Sequence, residues 1–384
     1  MVKKINKRLL ALDVLRGITI SGMILVNNPG SWDHIYEPLE HASWIGLTPT
    51  DLVFPFFMFI MGVSTYLSLR KYQFKFDKNT ALKIIRRTVV IFGIGLAIAW
   101  LSLSLNTWNS LSDQGLSFWQ QLWTSCSNFS HLRIMGVMPR LALCYGGAAV
   151  IALTIKHKHI PYLIIFLLIG YTIMLFLGNG FAYNDTNILS RVDRFILGGN
   201  HMYKDNGIDP EGILSTIPAL AHVLIGFCVG KMLMEVEELN DKIERLFLVG
   251  VSLTFVGFLF SYGCPISKKI WSPTFVLTTC GLASSLLALL IWLIDKQGYK
   301  GKLTRFLESF GVNPLFIYVF ADVLGIFVGR LLLADGSGLT QHLFYFFQPI
   351  FGDKGGSLVY ALLFVTINWY VSHILYKRKI YIKI

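Results

Sequence analysis

Apolar runs long enough to cross a bilayer recur about ten times along this chain, and that repetition restricts what it can fold into. Hydrocarbon offers no partner to a free backbone N–H or C=O, so each such run must close its hydrogen bonds as a helix. The runs fall at 9–28, 51–70, 82–105, 133–155, 160–178, 212–234, 246–262, 273–294, 306–333 and 357–376. The ninth is interrupted by Gly311 and Pro314, which predicts a broken span or a short helix ahead of it. The stretch 342–351 reads as re-entrant or interfacial. The expected fold is an all-α polytopic transmembrane bundle of about ten helices. With no periodic repeat and no Gly/Ser linker, residues 1–384 read as a single domain.

Composition and charge placement support this reading. Hydrophobic residues make up 54% and charged residues 15% of the 384. Mean hydropathy is +0.58, too high for a chain that must cover a soluble surface. The net charge of +12 would suggest nucleic acid if it were clustered. Instead Lys and Arg sit in short segments between apolar runs, as in cytoplasmic loops, so no nucleic-acid partner is expected. The basic start (Lys3, Lys4, Lys7, Arg8), the loops 71–81, 156–159, 235–245 and 295–305, and the tail (Lys377, Arg378, Lys379, Lys383) alternate with longer, base-poor loops. The loop 106–131 has no Lys or Arg at all. Both termini are therefore expected in the cytoplasm, with Arg191, Arg194, Lys268 and Lys269 as exceptions on the far side. The first run carries Asp13 and Arg16 and ends in Asn27-Asn28-Pro29, not a small-residue cleavage site, so it is expected to be retained. The five cysteines lack CxxC spacing and read as small buried hydrophobes. His131, His201, His222, His342 and His373 show no ligand spacing, so no metal is expected.

The segment 41–55 is the most informative. His41 precedes the second run, and Asp51 follows Pro49-Thr50 at its start, where a carboxylate meets free backbone N–H groups. A histidine beside such a carboxylate can be oriented by it and take a proton near neutral pH. The same residues would also serve as an interfacial His and a plain helix cap. Polar groups inside the runs are costly and face cavities or partners. Asp13 and Arg16, one turn apart, read as an internal pair. Arg140 has no neighbouring carboxylate in sequence and calls for one from another helix or for an anion such as phosphate. Asn313 lies in the ninth run. Asp209 and Glu211 open the sixth and either bind hydroxyls or an amine or cap a helix. In 264–273, Trp271 either stacks on a sugar or lies at the interface, while Lys268 and Lys269 either hold an anion or snorkel.

Together these blocks resemble the heparan-α-glucosaminide N-acetyltransferase family of transmembrane acyltransferases. Leu12-Asp13-Val14-Leu15-Arg16-Gly17 with Val26-Asn27-Asn28-Pro29-Gly30 is similar to its first span, and His41-Ala42-Ser43-Trp44 through Asp51-Leu52-Val53-Phe54-Pro55 to its signature. Gly136–Leu141, Asp209–Leu214, Pro265–Trp271 and Gly311–Pro314 follow in the family's order. Met138-Pro139 before Arg140 departs from it. The absence of the lysosomal member's luminal domain points to a compact bacterial form in the inner membrane. The resemblance implies transfer of an acetyl group from cytoplasmic acetyl-CoA to the amine of a terminal glucosamine across the membrane, by a homodimer. It implies His41 as the active histidine, with Asn27 and Asp51 as its polar neighbours. On this expectation Asp13, Arg16, Arg140 and Asn313 serve acetyl-CoA, with Arg86 and Arg87 as further phosphate contacts. Asp209, Glu211, Lys268, Lys269 and Trp271 serve the amino-sugar acceptor. His41 acts either as base or as an acetylated intermediate. An O-acyltransferase of surface polysaccharide and a secondary transporter are the rival readings.

Overall fold

The computed structural model describes residues 9–112, 114–203, 205–330 and 336–382. The basic N-terminal residues Lys3, Lys4, Lys7 and Arg8, the tail residue Lys383 and the end of the ninth apolar run lie outside the described residues. All regular elements among them are helical: α1 (Leu10–Asn27), α2 (Val53–Arg70), α3 (Lys78–Leu111), α4 (Phe118–Ser127), α5 (Val137–Thr154), α6 (Ile160–Leu177), α7 (Ile188–Leu197), α8 (Thr216–Glu235), α9 (Leu239–Phe260), α10 (Pro273–Leu290), α11 (Lys302–Val312), α12 (Pro314–Arg330) and α13 (Leu339–Lys377). Among the described residues nine helical segments are long and apolar enough to cross a membrane, ten if the bent pair α11–α12 is one span. The expected bundle of about ten spans is thus observed.

The break in the ninth run is where the sequence placed it. Pro314 has no N–H and disfavours a helical residue before it. Asn313 leaves the helical region (φ −125°, ψ 53°), and α11 and α12 meet at 84°. In α13 the break comes at Gly352, whose φ of 71° lies in the region that favours glycine. Residues 339–351 therefore form a separate helical arm rather than a loop. Two elements were not anticipated. The stretch 106–131, read as a loop, continues α3 to Leu111 and then forms α4, which Ser117 and Gln120 start with a reciprocal cap. The short helix α7 is capped by the Asn187 side chain, which accepts from Leu189 N.

The most extensive helix contacts are α9 with α10, α2 with α8 and α1 with α11. In lipid, helices gain little from apolar burial against one another and rely on close backbone approach. Gly62 and Gly226 supply it between α2 and α8, packing on the carbonyls of Val223 and Phe59. Gly17 and Gly311 do the same between α1 and α11, against Leu307 and Asp13. Past α10 a π-helical turn, Ile291–Lys296, carries Asp295, whose carboxylate accepts from Leu10 N and Ala11 N at 3.1 Å each and caps α1. One end of the bundle gathers the α1–α2 connection, the α4 and α7 segments and the α9–α10 loop; His41 lies at this end.

Candidate functional site

Asp51 sits in a turn of 3₁₀ helix, Thr50–Leu52, just before α2, with no solvent access. Its Oδ2 accepts from Ala42 N at 3.0 Å and Thr48 N at 3.2 Å, and the Thr48 hydroxyl lies 3.0 Å away. Its Oδ1 is 2.7 Å from His41 Nδ1. A carboxylate can only accept, so Nδ1 carries the proton and Nε2 of the neutral ring keeps its lone pair. The backbone that holds Asp51 also holds the loop bearing His41, so the imidazole has one orientation. Its side chain is 44% exposed. This is a base fixed on one side and accessible on the other.

A third group arrives from the α9–α10 loop. Gly46 N donates to Ile266 O at 2.8 Å and ties this loop to the His41 loop, while the bond from Ser267 N to Ser272 Oγ at 3.0 Å braces it internally and that from Tyr171 Oη to Ile270 O at 2.7 Å ties it to α6. Trp271 takes φ 50°, unusual for a bulky residue, and turns its ring into the bundle. Lys268 is left at the dyad: its Nζ lies 3.1 Å from His41 Nδ1, 3.4 Å from Nε2 and 3.5 Å from Asp51 Oδ1. Nearly equidistant from the two ring nitrogens, the ammonium lies over the imidazole face beside the Asp51 carboxylate, off the line of the Nε2 lone pair. Burial pulls the Lys268 amine below the usual lysine range, against the opposing pull of Asp51 and Glu211.

Asp209 and Glu211 are engaged by Arg133, which lies 2.6 Å from each. Burial raises Glu211, but Arg133, Arg140 and Lys268 together hold the carboxyl below its usual value. Asp193 on α7 accepts from Leu214 N at 2.9 Å, and burial pushes its carboxyl up to about 6. Lys269 is held by Asp205 at 2.8 Å and Tyr183 at 2.6 Å; Tyr183 stacks on Trp44.

A cavity of about 730 Å³ opens beside this cluster, within the range that holds small-molecule ligands. Asn27, Arg133, Tyr203, Tyr318 and Asp322 are among its walls, and small residues of α3, Gly95, Ala99 and Ser102, line the side facing α12. Arg133 borders the cavity and pairs with Glu211, whose charge is felt at Lys268. His41 is not among the lining residues. Among the described residues Asp322 has Tyr318 as its hydrogen-bonding neighbour and no ion pair.

The structure therefore brings His41, Asp51 and Lys268 together, joins Asp209 and Glu211 to Arg133, and sets Asn27 on the cavity wall. Others lie elsewhere. Trp271 is 1% exposed and packs against Phe54, His222 and Phe275, with the Arg140 guanidinium 5.1 Å from its ring. Arg140 is buried and donates to Gly212 O at 3.1 Å and to Ser215 Oγ. Arg16 pairs with Asp13 at 2.8 Å and donates to Gly311 O and Ser64 Oγ. Asp13 is fourteen residues from Asn27 on α1, roughly 21 Å along the axis. Asn313 reads the backbone of the tail, donating to Ile380 O and accepting from Ile382 N at 2.8 Å each. Sequence reading missed Arg133, at the edge of a span, and Asp193 and Asp322. Asp322 did carry a signal, as a lone acid in an apolar run.

The family model for heparan-alpha-glucosaminide N-acetyltransferase, catalytic, matches residues 8–257, which include His41, Asp51, Asn27 and Arg133. The chain belongs to this family. A heparan-alpha-glucosaminide N-acetyltransferase of Mus musculus is 28% identical over 433 residues, covering 98% of this chain and 60% of its own length. One of Homo sapiens is 28% identical over 425 residues, again covering 98% and 60%. The chain thus spans about 60% of the length of the curated heparan-alpha-glucosaminide N-acetyltransferases it matches.

Proposed function

We propose that this protein is a membrane acetyltransferase that moves an acetyl group from acetyl-CoA to the amine of glucosamine or a glucosamine-terminated saccharide. The observation that carries the proposal is the His41–Asp51 pair, with Nδ1 held at 2.7 Å and Nε2 left as a base, inside the segment that the catalytic family model covers. Acyl transfer to an amine needs a base for the amine proton and a donor for the tetrahedral oxyanion. His41 supplies the first. Asn27, exposed on the cavity wall, supplies the second with its amide N–H. The ammonium of Lys268 adds positive charge where the oxyanion develops. The charge bias of the loops supports this end of the bundle lying opposite the cytoplasm, and on this reading the membrane is a bacterial inner membrane with acetyl-CoA supplied from the cytoplasmic side. The resemblance to the family adds a homodimer to this reading.

The cavity's size and polar lining suit an amino sugar, and Asp322 offers a carboxylate to its hydroxyls. The test mixes the purified protein in detergent with acetyl-CoA and either glucosamine or glucose, and measures free CoA. Release at least about tenfold faster with glucosamine is expected. Equal release with glucose would replace the amine-directed reading by O-acyl transfer, and no release with either would remove acetyl transfer.

A further inference from the structure

The helix α4 is inside out for a segment that meets water. A helix facing water turns its polar residues outward and buries its apolar stripe. In α4 the polar side chains Gln121 and Ser125, one turn apart, are buried, and Gln121 Nε2 donates to Trp108 O of α3 at 2.9 Å. The opposite face is aromatic: Trp119 and Trp123, also one turn apart, are 74% and 75% exposed, with Phe118 beside them at 59%. The segment Phe118–Ser127 carries no charged residue. Its outward face calls for apolar surroundings.

Register against α3 sets the depth of that face. With 34 residues, α3 is roughly 51 Å long and outreaches a hydrocarbon layer of about 30 Å. Its apolar run ends near residue 105. From the far end α4 runs back along it: Phe118 packs edge-on against Trp108 at 5.5 Å, and Trp100 Nε1 donates to Cys126 O at 2.9 Å. At 1.5 Å per residue, Trp108 stands roughly 5 Å beyond the end of the run and Trp100 roughly 7 Å inside it. Trp119 and Trp123 therefore flank the boundary between hydrocarbon and headgroups, the level that suits a ring with an apolar body and a polar N–H. α4 packs chiefly on α3, which is itself peripheral, with Leu82, Ile85 and Val89 exposed along it. We propose that α4 is an interfacial helix, its aromatic face seated in phospholipid of the leaflet at the His41 end, and that it holds the cavity rim at headgroup level. Beyond Ser127, Asn128 Nδ2 donates to Thr107 Oγ1 at 3.2 Å, and the chain then reaches His131 and Arg133 on the cavity wall. Arg133 closes on Asp209 and Glu211, so the rim is tied to the leaflet through α4. The lack of Lys and Arg in 106–131 makes the seat one of aromatic insertion rather than of attraction to anionic headgroups.

The full-length protein is reconstituted in phosphatidylcholine vesicles whose acyl chains carry bromine at a shallow or a deep position. Trp fluorescence is then compared for the wild type and the double variant Trp119→Phe, Trp123→Phe. Both rings are exposed, so the variant is expected to melt with the wild type. Shallow bromine should quench the wild type more than deep bromine does, and the variant should lose that excess. The excess should persist when phosphatidylglycerol is added, since α4 has no basic residue. Equal shallow quenching of wild type and variant overturns the proposal. Quenching by aqueous acrylamide that the variant loses would then assign the face to water, and Trp emission that shifts with the protein-to-lipid ratio would assign it to a second copy.

Discussion

At the scale of single residues, the site separates groups that are held from groups that are poised. Asp51 has both oxygens occupied and no solvent, so it orients His41. Asp193 is different. Among the described residues its Oδ2 has no hydrogen-bond partner, and burial lifts its carboxyl to about 6 from an ordinary 3.8, with Leu214 N–H and Arg140 opposing. A raised carboxyl favours the protonated form in the folded state, so its stabilisation is complete below the ordinary value and is lost as pH rises through about 6. Asp193→Asn stays neutral throughout and keeps an acceptor for Leu214 N–H. Thermal melts in detergent should find the variant more stable than the wild type above about pH 7, by at most about 3 kcal/mol, with the gap closing toward about pH 4. A gap independent of pH would show that Asp193 is not held in this way.

At the scale of elements, helix pairs are set by glycines at close backbone crossings. Gly62→Leu would drive a side chain into the Val223 carbonyl, so the α2–α8 crossing must open. Since α2 begins at the Asp51 turn, the dyad moves with it. Expected is a loss of about 1–3 kcal/mol in a melt and a drop in turnover, whereas Gly93→Leu on α3, with nothing near its Cβ, should leave both within error. Helices of this kind were legible in the sequence because a bilayer demands a run of fixed length and Pro314 marks its break. The short helices α4 and α7 were not, because a ten-residue amphipathic segment in a loop lacks the length that made the spans visible. The caps at Ser117 and Asn187 were the signals available for them.

At the scale of the whole molecule, polar groups divide between the two ends of the bundle. The pair His41–Asp51 was legible because its members are ten residues apart and one stands at a helix start. Lys268 joins them from 227 residues away, and spacing within the chain carries no trace of that contact. Arg140 lacked a local partner in the sequence, and Trp271 stood in a loop that suited a sugar or the interface, yet the two face each other in the core. Asp13 with Arg16, and Asn313, brace the opposite end by joining α1 to α11 and the tail to α12. The proposed chemistry therefore belongs to the His41 end. The direct measurement is the rate of CoA release from acetyl-CoA with glucosamine for wild type and His41→Ala, each purified and shown to melt alike. A fall of about a hundredfold or more in the variant is predicted, as for loss of a general base. A variant that turns over at the wild-type rate would contradict the account.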